Sequence, residues 1–165
     1  MSTKKNQDRQ KSKKTHCILL EQNADFYKKI QDLLHNLEKA PKGTESLFYN
    51  KIAYLLSESD SYCSQMVTNY KEAVKYYKMA IKTAGNRPCG LYWSNLSLAY
   101  AKLKDWDNAI FAIKKAIPLL KKEEKEGIKH GNQIKILQLE KMLYQEYRKR
   151  TLIRKSSENF SASNK

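Results

Sequence analysis

The sequence predicts an all-α chain of antiparallel helix hairpins, about six helices in all, with basic termini that lack regular structure. The first observation behind this is an internal echo. The segment Ala73-Val74-x2-Tyr77-x2-Ala80-Ile81 returns 36 residues later as Ala109-Ile110-x2-Ile113-x2-Ala116-Ile117. A period of that size implies supersecondary units stacked side by side. The second is that apolar residues recur at spacings of three and four and nowhere alternate over a long stretch, so strands have little support. The third is punctuation: only five glycines and three prolines interrupt 165 residues, and they fall between the periodic segments except for Gly90 and Pro118.

Taken in order, Ile18 to Ala40 reads as a first helix, because Phe26, Ile30, Leu33, Leu34 and Leu37 share one face. Pro41-Lys-Gly43 ends it, and Thr44 or Ser46 begins a second helix that runs to about Ser57. The stretch Ser57 to Ser64 is rich in serine and acidic residues, as an inserted loop would be. Asn69 is placed to cap a third helix, with Glu72 completing a capping box and Gly85-Asn86 and Pro88 closing it. Cys89 to Leu103 and Asp105 to Glu124 form the next pair, with Asp105 as N-cap. Lys121 to Glu126 lengthens the second of these until Gly127 and Gly131 interrupt it. A final helix, about Asn132 to Arg154, sets Ile134, Ile136, Leu137, Leu139, Met142, Leu143 and Tyr144 on an apolar side. Either it covers the open end of the array, or it is the first helix of a degenerate third repeat.

Within this frame Trp93-x2-Leu96-Ser97-x2-Tyr100 precedes Ala109 by a hairpin's length, and Tyr49-x2-Ile52-Ala53-x2-Leu56 precedes Ala73 by a longer one. Small residues at such positions let two helices approach closely, so Ser97 with Ala109, and Ala53 with Ala73, are the expected pivots. This pattern resembles the tetratricopeptide repeat, whose signature is W-x2-L-G-x2-Y followed by A-x3-F and P. The chain departs from it at Lys104, where the family favours glycine, and at Pro118 and Pro88, which fall early and late. An ordinary helical bundle is the competing reading. Tyr70 to Ala84 would also suit the three-helix microtubule-interacting and transport domain, which the Trp93 to Trp106 segment fits poorly.

The resemblance implies a right-handed superhelical array whose first helices line a concave groove for a peptide or helix of a partner protein. Carried over by residue, the groove comprises Asn50 and Tyr54 from one repeat and Leu91, Ser94, Asn95, Leu98, Ala101 and Lys102 from the next. The string Leu91-Tyr-Trp-Ser-Asn-Leu-Ser-Leu-Ala-Tyr-Ala-Lys-Leu103 is similar to cochaperones that clamp the C-terminal carboxylates of heat-shock chaperones, which use an Asn at the place of Asn95. A two-carboxylate clamp needs several converging donors. Here Asn50, Tyr54 and Leu96 stand where the family's further donors belong, so the clamp is incomplete. Asn95 reads equally well as a hydrogen bond between helices.

The net charge of +15 is concentrated at the ends: residues 1–16 and residues 148–165 contribute +5 each. The expected organisation is a basic disordered tail at 1–16, a helical domain at 17–154 and a disordered tail at 155–165. Lys11, Lys13 and Lys14, and Arg148, Lys149 and Arg150, are the candidate electrostatic contacts. They suit nucleic acid or an acidic partner through long-range attraction, or serve only as solvated tails.

Chemistry is mostly missing from the residues. Cys17, Cys63 and Cys89 form no CxxC pair, and His16, His35 and His130 have no carboxylate or cysteine beside them at ligand or triad spacing. Glu123-Glu124 sits in a Lys/Glu-rich run that reads as a solvated helix end. No glycine-rich phosphate loop, HExxH or GxSxG is present. No enzyme, cofactor, metal or membrane partner is therefore expected, and the unpaired cysteines point to the cytosol or nucleus. Two functions stand: a protein-protein adaptor using the groove, or a basic nucleic-acid-associated protein using the tails.

Overall fold

The computed structural model describes residues 24–58, 67–85 and 89–163. Among them there are six α-helices and no strand. Helix α1 covers 24–38, α2 Glu45–Glu58, α3 Val67–Thr83, α4 Gly90–Lys102, α5 Trp106–Lys125 and α6 Gln133–Ser163. Residues 1–23, 59–66, 86–88 and 164–165 fall outside the described residues, and with them the N-terminal tail, Cys17, the start expected for the first helix at Ile18, most of the loop expected at Ser57 to Ser64, and Asn86 and Pro88.

The chemistry of each helix end explains most boundaries. After α1, Gly43 takes φ +94° and lets the chain turn back. The Thr44 hydroxyl donates to the Pro41 carbonyl at 2.7 Å, while the Gly43 N–H donates to Glu45 Oε2 at 2.6 Å. Helix α3 starts at Val67, ahead of Asn69, so Asn69 lies inside the helix and is not its cap. Glu72 pairs with Lys75 at 2.8 Å instead of closing a capping box.

Between α4 and α5 the turn is short. The Lys104 N–H donates to Ala101 O at 2.9 Å and the Asp105 N–H to Tyr100 O at 2.9 Å, the paired bonds that terminate a helix through a left-handed residue. Lys104 is that residue, with φ +59°. Asp105 then caps α5, accepting from the Asn108 N–H at 3.3 Å and from Asn108 Nδ2 at 2.7 Å. The same ending recurs after α5 with glycine in the left-handed position: Gly127 has φ +91°, and the Ile128 N–H reaches back to Glu123 O at 2.9 Å. Pro118 sits inside α5 without ending it.

Packing follows the chain, with α2 on α3, α3 on α4, α4 on α5 and α5 on α6. Short connections between extensively touching helices make each pair antiparallel. All four expected pivots, Ala53, Ala73, Ser97 and Ala109, are fully buried. Around them Ile52, Tyr77, Leu96, Ile113, Ala116 and Leu120 form one continuous core with Leu137 and Tyr144 of α6. Phe26, Ile30, Leu33 and Leu34 of α1 pack against it from the side predicted for them. No described helix is long and apolar enough to cross a membrane.

Helix α6 departs from its sequence reading in two ways. It runs to Ser163, past the boundary set at residue 154, so residues 155–163 are helical rather than an irregular tail. Its apolar side is also only partly covered. Ile134, Leu137 and Tyr144 face the core, whereas Ile136, Leu139, Met142 and Leu143 are exposed.

Candidate protein-binding face

Helix α4 presents two opposed faces, because residues three and four apart align on a helix. Leu91, Asn95, Leu98 and Lys102 share one of them. Leu98 is 46% exposed and Leu91 is comparably open. Helix α2 adds Asn50 and Tyr54, the latter 48% exposed. The two helices are tied across this face by Asn95 Nδ2 donating to Asn50 Oδ1 at 3.4 Å, a long bond that joins residues 45 apart in sequence. Of the two readings open for Asn95, the structure shows the inter-helix hydrogen bond. The Lys102 Nζ lies 5.8 Å from the centre of the Tyr70 ring on α3, which fixes the cation at the far end of the strip.

One expected groove residue does not belong to the open surface. Ser94 is buried, and its hydroxyl accepts from Gln133 Nε2 of α6 at 2.8 Å. The start of α6 therefore covers Ser94. Ala101 is half-buried and packs against the core.

Below the open face, the start of α4 is fastened by a carboxylate. Glu123 Oε1 accepts from the Gly90 N–H at 2.7 Å, and Glu123 Oε2 lies 2.7 Å from His130 Nε2. A negative group at a helix N-terminus is favoured by the helix dipole. The side chains of Glu123 and His130 are only 13% and 14% exposed, so Glu123 is not the solvated helix end that its Lys/Glu-rich surroundings suggested. Nor is His130 without a carboxylate neighbour. Cys89, next to this cluster, is a free thiol whose pKa burial pushes up. Among the described residues no group of three His, Cys, Asp or Glu is placed to hold a metal ion.

The basic residues at the end of the chain are largely engaged. Arg148 pairs with Asp107 of α5 at 2.6 Å, Arg150 with Glu146 at 3.1 Å, and Arg154 with Glu158 at 3.4 Å. Lys149 is exposed beside them. Lys11, Lys13 and Lys14 lie outside the described residues.

The second face of α4, carrying Trp93, Leu96 and Tyr100, borders an open cleft of about 340 Å³. Its walls are completed by Lys78, Ile81 and Lys82 of α3 and by Asn108 and Phe111 of α5. Sequence reasoning missed this concavity, since Trp93 and Tyr100 were assigned wholly to packing. The available signal was Phe111, an aromatic off the buried stripe of α5 and 51% exposed.

No family model, curated protein or solved structure matches this chain.

Proposed function

We propose that this protein is a small adaptor of tetratricopeptide-like build, a right-handed helical array that receives a peptide or helix of another protein along the face shared by α2 and α4. The observation that carries the reading is the alternation of exposed apolar and polar side chains on adjacent helices. Tyr54, Leu91 and Leu98 offer apolar anchorage, and Asn50, Asn95 and Lys102 lie between them. Exposed apolar side chains grouped on one face favour a partner that buries them. Helix-in-groove recognition uses anchors of this kind.

A double-carboxylate clamp suits the face less well. Asn95 already donates to Asn50, and Lys102 is the cation that the resemblance assigns to this face. One cation offsets the desolvation of two carboxylates poorly. Apolar contact is then the main source of affinity, and a chaperone tail is a weaker candidate than an amphipathic segment.

The test is affinity capture with the full chain against its Asn95→Ala/Leu98→Glu variant, at low and at moderate salt. Both residues are at least partly exposed, so the fold should survive. A protein retained at both salts by the wild type and lost from the variant supports the adaptor. If material bound only at low salt is held equally by both chains and removed by nuclease, the nucleic-acid reading replaces it, because counterion release makes that binding steeply salt-dependent.

A further inference from the structure

We infer that the cleft between α3, α4 and α5 is a second recognition site, on the opposite side of α4 from the proposed groove, and that it takes a short acidic peptide segment bearing an apolar side chain. Its chemistry is two-part. Trp93, Phe111, Leu96 and Ile81 supply an apolar floor, and Lys78 and Lys82 stand one helical turn apart on its α3 rim. Among the described residues no carboxylate lines it. Neither lysine belongs to an ion pair among the described residues, unlike Lys75, which is neutralised by Glu72. On the α5 side Lys115 adds a third cation, with Nζ 5.5 Å from the centre of the Phe111 ring. Asn108 is fixed by its bonds to Asp105 and adds a polar group at the α5 wall.

The occupant follows from charge and shape. A site with ammonium groups and no acid attracts anions, and the chain as a whole carries +15, which reinforces attraction of an acidic partner. The geometry of the rings favours a peptide over a nucleic-acid base. Trp93 and Phe111 meet edge to face, with centroids 6.0 Å apart and planes at 70°, so they form no parallel slot for a flat base. The Lys78 Nζ lies 5.6 Å from the centre of the Tyr100 ring, and Lys115 sits over Phe111, so ring faces that could stack on bases already hold cations. A branched or aromatic side chain can instead enter beside the Phe111 edge while neighbouring carboxylates meet Lys78 and Lys82. The two faces of α4 would then hold two different segments at once.

The experiment is fluorescence anisotropy of a labelled peptide of aspartates and glutamates with one leucine and one phenylalanine at its centre, titrated with the full chain. Binding should weaken about tenfold in Lys78→Gln/Lys82→Gln, the loss expected for charge-assisted bonds. It should weaken at least about fivefold in Phe111→Ala, as when an aromatic anchor is truncated. Leu98→Glu, on the other face, should leave it unchanged, which separates this site from the proposed groove. Circular dichroism checks that each variant keeps its helices. Equal binding of a peptide with alanines at the two apolar positions would overturn the proposal, as would wild-type affinity in both cleft variants. Stronger competition by an oligonucleotide of equal charge would assign the cleft to nucleic acid instead.

Discussion

Gly90 is packed against Leu120 with no room for a side chain: a Cβ added at Gly90 would stand 2.6 Å from Leu120 Cγ and 2.8 Å from the Leu120 nitrogen. In most helices an alanine stabilises relative to glycine. Here the sign reverses, because one of the obstructing atoms is the Leu120 main-chain nitrogen, which cannot swing aside as the side-chain carbons could. Gly90→Ala should cost about 1–3 kcal/mol by overpacking, read from urea denaturation. Trimming Leu120 to alanine in the same chain should not restore stability, since the nitrogen stays in place.

The two left-handed helix ends invite a paired comparison. Lys104 and Gly127 occupy equivalent positions after α4 and α5, but only the second is glycine. A side chain in that conformation costs about 1–2 kcal/mol, part of which glycine returns through its freer unfolded state. Lys104→Gly should therefore raise stability by about 0.5–1 kcal/mol, and Gly127→Ala should lower it by a similar amount. Opposite shifts in thermal midpoint are the expected readout.

Ala109 has no exposed surface and belongs to the continuous core. Ala109→Leu should destabilise by about 1–3 kcal/mol through forced displacement, whereas Lys114→Leu on the exposed side of the same helix should change little. An Ala109→Leu chain as stable as wild type would mean that the hairpin has no close contact there.

Pro118 lacks the N–H that would bond to the Lys114 carbonyl, and it lies on an exposed side of α5. Replacing it with alanine should stabilise the chain by roughly 1–3 kcal/mol, up to the usual interior proline penalty. Denaturation midpoints of the two chains give the answer directly.

Glu140 lies half-buried on α6, and burial raises its carboxyl pKa above the usual carboxylate range. The folded state thus binds the proton more tightly than the unfolded chain does. Stability from this group is greatest below the unfolded pKa and falls as pH rises through the folded one. Glu140→Gln should be more stable than wild type at neutral pH, with the difference closing in acid. The neighbouring Tyr144 hydroxyl, pushed up to about 12 chiefly by burial and then by Glu140, stays protonated throughout that range.

What could be read from the sequence was what depends on near neighbours. Small residues at hairpin spacing located Ala53, Ala73, Ser97 and Ala109, whereas Lys104, read only as a departure from the repeat pattern, proves to hold the left-handed turn conformation itself. Asn69 misled because a capping pattern is local, and α3 gains a further turn ahead of it. The misses at the candidate face are contacts across long separations: Ser94 with Gln133, and Glu123 with Gly90, lie 39 and 33 residues apart. Apolar periodicity in α6 signalled a hydrophobic side but could not tell which part of it the body covers. Its serine- and lysine-rich end resembled disorder, yet Glu146–Arg150 and Arg154–Glu158 are spaced four apart, the spacing that supports a helix.

Near its middle α6 rests on Trp106, which meets Tyr144 and Tyr147 at ring separations of 5.7 and 5.1 Å, and Arg148 is anchored to Asp107 just beyond. From there to Ser163 the helix runs on for about 22 Å at 1.5 Å per residue, with its described side chains almost all in water. An isolated stretch of that length holds its own backbone bonds only marginally. The chain should consequently melt in two tiers: amides past Arg148 are expected to exchange with deuterium long before those of the hairpins, and a protease to trim this spur while the body stays intact.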